Sequence, residues 1–329
     1  MPSPRKLAAA LAATGVLLTG CGLESANTFV PEAQPAAIEP LPEADGAEIS
    51  VGTKNFTEAL ILGKIAVIGL SVAGFDVTDR SGIPGAAPAR AAMLSGKVDV
   101  QWEYTGTGWL NYLGMSEGIP DPVEQYEAVR DADAENGLTW LPPAEMNNTY
   151  AFAVRSEAVP ELGGISTLSQ IAALPVEERT FCVESEFATR SDGFEPMLEA
   201  YGIPLGDPQG VPRDKVSVLD TGAVYTATDA GRCNFGEVFT TDGRIAALDL
   251  TVLEDDLGYF PAYNVAPVVR TPVLEEYPGI ADVFAQITPL ITDEVMIELN
   301  SRVDVGGEEP ADVAYDWMVS EGLVSRPEV

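Results

Sequence analysis

Histidine is absent from this chain of 329 residues, and there are only three cysteines. A Ser-His-Asp triad, a Cys-His pair and a histidine-ligated zinc site are therefore excluded. What remains is a set of aromatic and cationic residues standing where short β-rich runs give way to helical ones. Lys54 follows Val51-Gly52-Thr53, and Tyr104 ends Gln101-Trp102-Glu103. Tyr150 follows Asn147-Asn148-Thr149, and Arg190 follows Phe187-Ala188-Thr189. Phe239 precedes Thr240-Thr241-Asp242, and Tyr263 lies within Phe260-Pro261-Ala262-Tyr263-Asn264. Ring faces attract a quaternary ammonium through their quadrupole, by roughly 0.5–2 kcal/mol per contact. A lysine beside the exposed N–H groups of a helix N-terminus, together with an arginine, suits a carboxylate. These residue types describe a site for a small zwitterion and do not resemble a general acid and base pair.

The elements that must position them follow an α/β pattern, in which ligands sit beyond the C-terminal ends of strands. Strands are predicted over 48–52, 75–79, 98–103, 150–155, 180–184, 216–219, 233–239 and 265–270. A helix over 57–73 is apolar nearly all round and is expected to be buried, with Asn55 and Glu58 at capping-box spacing before it. Helices over 280–290, 293–303 and 311–323 end the chain, with no strand expected after about residue 270 and largely parallel sheets throughout. If the strand at 265–270 returns to the first sheet, the chain crosses between two lobes twice, near 145–155 and 255–270, which makes a hinged cleft. Trp102 and Trp109 read as core; the glycines of Thr105-Gly106-Thr107-Gly108 would let backbone approach a ligand. Tyr225 reads as a helix-face core residue, with competition against Phe239 for a wall of the site as the alternative.

Composition narrows the class further. The formal charge of −33, with 46% apolar and 21% charged residues, fits a globular protein of about two domains and argues against nucleic-acid binding. Arg5 and Lys6 precede an apolar run over 7–18, which reads as an export signal over 1–20. Residues 21–47, rich in Pro, Ala and Glu without apolar periodicity, are expected to form an anchor and flexible tether. In an oxidising compartment Cys182 and Cys233 can pair as a disulfide, two free buried thiols being the alternative. No metal ligand set and no cofactor motif is present in the sequence.

Leu18-Thr19-Gly20-Cys21 resembles the lipobox of bacterial lipoproteins, which implies lipidation of Cys21. Four further segments occur in order: residues 51–58, residues 103–108, Thr241-Asp242-Gly243-Arg244-Ile245 and residues 260–264. Together they resemble the substrate-binding proteins of osmoprotectant ABC importers, the glycine betaine, choline and carnitine family, from about residue 48 onward. The resemblance implies a type II periplasmic-binding-protein fold, with one lobe from 48–146 plus 261–329 and the other from 147–260, joined by a two-strand hinge. It implies a membrane-tethered monomer outside the cytoplasmic membrane that delivers a quaternary amine to ABC permease subunits, without catalysis. Carried over by position, the aromatic box is Tyr104, Tyr150, Tyr263 and Phe239, where many relatives have Tyr. Polar contacts fall to Lys54, Thr107 and Arg190 and to a backbone carbonyl near Asn148. Two cations beside the box favour glycine betaine or proline betaine over choline, unless Lys54 pairs with Glu58 or Glu103. The rivals are a binding protein for another amino-acid-like or cationic solute and a carboxylate-dependent extracellular hydrolase using Glu103, Glu184 or Glu186.

Overall fold

The computed structural model describes residues 30–327. The expected signal and Cys21 lie outside the described residues. In chain order the strands are β1 Gln34–Pro35, β2 Glu48–Lys54, β3 Asp76–Ile83, β4 Val100–Tyr104, β5 Leu138–Trp140 and β6 Tyr150–Arg155. They continue as β7 Phe181–Glu184, β8 Val216–Leu219, β9 Phe235–Phe239, β10 Leu250–Leu253, β11 Val265–Arg270 and β12 Val324–Ser325. The α-helices are α1 Thr57–Val72, α2 Ala86–Leu94, α3 Pro122–Asp133, α4 Phe194–Ala200 and α5 Thr221–Asp229. After them come α6 Arg244–Ala247, α7 Thr271–Glu276, α8 Gly279–Ile287, α9 Asp293–Asp304 and α10 Pro310–Ser320.

Two five-stranded sheets, ordered β3-β2-β4-β11-β5 and β10-β6-β9-β7-β8, define two α/β lobes. Neither sheet is largely parallel, contrary to expectation. Strand β11 runs antiparallel to β4 and β5, and β6 runs antiparallel to β9 and β10. The cause is the double crossing: each chain segment that enters a sheet from the other lobe arrives from the cleft side and must run backward. The parallel pairs, β2 with β3 and β4 and β7 with β8 and β9, keep their strand ends at the cleft. Strands β5 and β10, of three and four residues, were not expected from the sequence. Strand β12 is a further departure, since no strand was expected after residue 270.

Helix α1 fills the first lobe as its composition requires, with Ile61, Leu62, Ile65, Ala66 and Leu70 fully buried. A Cβ on Gly63 would meet Thr53 Cγ2 at 1.9 Å, so the missing side chain is what lets α1 lie on β2. Lys64, in the middle of this apolar helix, is neutralised by Asp79 at 2.5 Å.

The expected flexible tether through Ala47 is corrected from residue 34 onward. Gln34–Pro35 pairs antiparallel with Val324–Ser325, Ile38 and Ala44 are fully buried, and the Leu41 N–H donates to Ala73 O at 2.8 Å. Ile38, half-buried Leu41 and Ala44 pack on the first lobe from a Pro-rich strap whose regular pieces, β1 and a 3-10 turn over Pro42–Ala44, are too short to show a period.

The two crossings run side by side. Asn147 bridges Asn264 in antiparallel fashion, and the Tyr263 N–H donates to Asn147 Oδ1 at 2.7 Å. In the second lobe Cys182 of β7 and Cys233, just before β9, form a disulfide with Cα atoms 5.7 Å apart. The alternative of two free thiols is thereby set aside.

Candidate functional site

Strand pairing does most of the work of assembling the site. Tyr150 opens β6 and Phe239 closes β9, and the two residues are direct cross-strand partners. Their ring centroids lie 5.3 Å apart, within the range where cross-strand aromatics interact. On the other lobe Tyr104 ends β4 opposite Val265, and Tyr263 arrives two residues earlier on the crossing segment. Tyr150 meets the Tyr263 ring edge-on at 5.3 Å, so the rings of the two lobes touch.

A cavity of about 50 Å³ lies between them, and Lys54, Tyr104, Thr107, Asn148, Tyr150, Arg190, Phe239 and Tyr263 all line it. Sequence reasoning missed one wall, Phe56. Its ring stacks on Phe239 at 5.5 Å and lies 6.1 Å from Tyr104. The signal was present in the segment Lys54-Asn55-Phe56-Thr57-Glu58, but Asn55 was read there as the helix cap. Phe56 occupies that position instead, without a side-chain cap, and its ring turns into the cleft. Tyr225 is not a wall: it is buried on α5, accepts the Phe239 N–H at 2.9 Å and lies under the Arg244 guanidinium.

The glycines after Tyr104 serve packing. A Cβ on Gly106 would meet the Tyr263 ring at 2.5 Å, and one on Gly108 would meet Trp140 and Val129 at 2.7 Å. The turn over Thr107–Tyr112 is wound as a π-helix, which swings Thr107, Asn111 and Tyr112 toward the cleft. Trp102 is core, edge-on to Phe284, whereas Trp109 is half-buried and donates to Glu117 O.

Both cations are already paired. Lys54 Nζ lies 2.7 Å from Glu103 Oε1 and 4.6 Å from the Tyr104 ring centroid, so the structural ion pair weighed above is formed. Arg190 donates through Nε and Nη2 to Asp192 at 2.8 and 2.6 Å, and its guanidinium lies 5.1 Å from the Tyr150 ring. Its Nη1 is 3.5 Å from Glu186 Oε1 and lies outside the fork to Asp192. Asp192 also accepts from Tyr263 Oη at 2.6 Å and from Asn111 Nδ2 at 2.8 Å, both on the opposite side of the cleft. Burial alone would raise the Asp192 carboxyl, but the Arg190 charge and these donors hold it below the usual carboxylate range. Burial pushes the Tyr104, Tyr150 and Tyr263 phenols well above their ordinary value, so all three are neutral.

The acids a hydrolase would need are tied up. Glu103 takes hydrogen bonds from Lys54, Gln101, Tyr112 and the Tyr104 N–H. Glu184 caps the N–H groups of Glu186 and Phe187, and Glu186 accepts the Ala86 N–H from the other lobe. An outer chamber of about 470 Å³, lined by Asn55, Asn111, Tyr112, Glu184, Glu186 and Arg190 among others, opens from this side of the cleft.

The sequence and the fold are matched elsewhere. A glycine-betaine-binding protein of Pseudomonas aeruginosa strain PAO1 is 38% identical over 289 residues, 85% of this chain and 90% of the relative. The glycine betaine-binding protein YehZ of Escherichia coli K12 is 32% identical over 288 residues, 86% of this chain and 93% of that protein. In fold, a solved glycine betaine/carnitine/choline ABC transporter protein superposes with a TM-score of 0.66 at 24% identity, covering 83% of this chain and 98% of the other. The fold is that of the type II periplasmic binding proteins, and the protein is a binding component, not an enzyme. The family model for the substrate-binding domain of ABC-type glycine betaine transport systems matches residues 47–320, and the chain belongs to that family, OpuAC.

Proposed function

We propose that the interlobe cavity captures a quaternary-ammonium osmoprotectant and that the chain hands it to the membrane permease of an ABC importer. In this reading a lipid on Cys21 holds the protein on the outer face of the cytoplasmic membrane. The alkylated ammonium lies against Tyr104, Tyr150, Phe239 and Tyr263, with Phe56 as a further wall. The observation that carries the reading is the gathering of these five rings with Lys54 and Arg190 around one cavity. In a binding protein whose cleft acids are otherwise engaged, that set has no role in proton transfer, whereas ring faces suit a cation that cannot donate hydrogen bonds.

Glycine betaine and proline betaine are favoured over choline, which lacks a carboxylate. Lys54 and Arg190 each keep N–H groups outside their shortest acidic contacts: an ammonium has three N–H groups, and the Arg190 fork to Asp192 leaves Nη1, which faces Glu186 Oε1 at 3.5 Å. Because Glu103 and Asp192 offset both charges, a carboxylate is held by directed N–H groups more than by surplus positive charge. Calorimetry with glycine betaine, proline betaine, choline and carnitine tests this directly. The two betaines bind more tightly than choline; absence of heat with every quaternary amine, in a folded sample, overturns the proposal.

A further inference from the structure

Glu58 lies in the first turn of α1, is 2% exposed and touches the site only through other residues. Its two oxygens are shared evenly across the cleft. Oε1 accepts from Tyr104 Oη at 2.7 Å and from Asn148 Nδ2 at 2.8 Å. Oε2 accepts from Asn300 Nδ2 at 3.1 Å and from Thr241 Oγ1. Tyr104 and Asn300 belong to the lobe that carries Glu58. Asn148 sits on the crossing two residues before Tyr150, and Thr241 follows Phe239 by two. One carboxylate therefore fixes three of the rings, Tyr104 directly and Tyr150 and Phe239 through the backbone that bears them.

The surroundings reinforce the join. Asn300 Nδ2 also donates to Thr241 O at 3.0 Å, and the Thr241 N–H reaches Asn148 Oδ1 at 3.4 Å. A Cβ on Gly243 would meet the Ser301 backbone nitrogen at 2.9 Å, so α9 and the segment after β9 touch backbone to backbone here. An opening that carries β9 away from α1 would separate Thr241 from Glu58 while Tyr104 stays with it. Burial raises the Glu58 carboxyl against the pull of its four donors, and a buried acceptor that loses one of those donors is costly whatever its charge, so this contact opposes opening.

We infer that Glu58 is the clasp of the closed form, a positioning residue that couples the Tyr104 wall to the Thr241 segment and so slows ligand release. The inference rests on the ligand reading above and gives the cleft a specific closing contact. Closure by a ligand requires differential contacts in the closed state, and this carboxylate supplies one that the ligand does not touch.

Thr241→Val removes the hydroxyl that donates across the cleft and keeps the shape of the side chain. Stopped-flow binding of glycine betaine should show dissociation roughly tenfold faster with association little changed. Combined with Tyr104→Phe, the loss should be less than the product of the single effects, because both hydroxyls act through Glu58; independent packing roles would multiply. Small-angle scattering of the ligand-free proteins should show the Thr241→Val form more extended than wild type. Wild-type dissociation and scattering in Thr241→Val overturn the clasp even when glycine betaine binds normally. If glycine betaine fails to bind wild type, the ligand reading falls, and the scattering comparison alone decides the clasp.

Discussion

Replacing Arg190 with alanine separates two roles that one guanidinium combines. It pairs with Asp192 by two hydrogen bonds at 2.8 and 2.6 Å in a site where both residues are buried. Removing one partner of a buried pair leaves the other charge uncompensated, at a cost of about 3–5 kcal/mol. Asp192 keeps Tyr263 and Asn111 as donors, which places the expected cost toward the lower end. The pair lies within the second lobe, so that penalty does not distinguish one ligand from another. The second role, donation from Nη1 to a ligand carboxylate, is worth about 1.5–3 kcal/mol and exists only for a betaine. Adding Asp192→Asn to Arg190→Ala removes most of the common penalty and leaves the carboxylate contribution. Calorimetry of wild type, Arg190→Ala and the double variant with glycine betaine and choline therefore gives a difference of differences. Glycine betaine should lose roughly ten- to a hundredfold more affinity than choline in both variants. Equal losses for the two ligands would refute the carboxylate role and leave Arg190 as a structural partner of Asp192 alone.

Loss of the disulfide through Cys182→Ala with Cys233→Ala, which frees a loop of sequence separation 51, should cost about 4 kcal/mol in urea denaturation. The four tryptophans lie at 102, 109, 140 and 317, all outside the second lobe, so far-UV circular dichroism should shift while tryptophan fluorescence shifts less. Phe56→Ala should weaken glycine betaine by roughly two- to thirtyfold, and Phe56→Leu should restore stability without restoring affinity, since a ring face and not bulk is what the cation contacts. Glu237 is raised to about 8, chiefly by burial and then by the Glu184 charge, against the N–H that Glu184 donates to it. Its folded value lies above its unfolded one, so the native state holds a proton between about pH 4.5 and 8 that the unfolded chain releases. Stability should fall as pH rises through that window, by up to about 1.4 kcal/mol per unit, and Glu237→Gln should flatten the slope in urea melts at pH 5 to 8.

The α/β two-lobed fold was legible in the sequence, and so was the set of residues that line the interlobe cavity, for a physical reason. Tyr104, Tyr150, Phe239 and Tyr263 stand at strand ends, and a strand end is marked in sequence by the switch from β-branched runs to Gly, Thr and Asn. Phe56 carried no such mark, because its role depends on which residue turns the corner into α1, and Asn55 and Phe56 differ there by a single residue. The pairing of Lys54 with Glu103 was visible only as one of two options, since it spans 49 positions and is fixed by the register of β2 beside β4. Glu58 was read as half of a capping box, a local device, when its four partners lie 46, 90, 183 and 242 positions away. The strap over 34–47 was misread because composition registers prolines, while burial of Ile38 depends on distant parts of the first lobe: it sits by Gly69 of α1, and its N–H donates to Leu323 O.

The position of β11 carries a consequence for biogenesis. It lies between β4 and β5, so an interior strand of the first lobe is contributed from beyond residue 264, after the whole of the other lobe has been synthesised. Residues 150–253 contain every strand of their sheet in one uninterrupted stretch and can fold as soon as they emerge. The earlier segment must wait with α1 and its apolar surface uncovered, since α8, α9 and α10, which cover it, come last. A nascent chain paused before residue 265 is therefore half finished and half exposed, and it is the amino-terminal portion that a holding chaperone would need to shield.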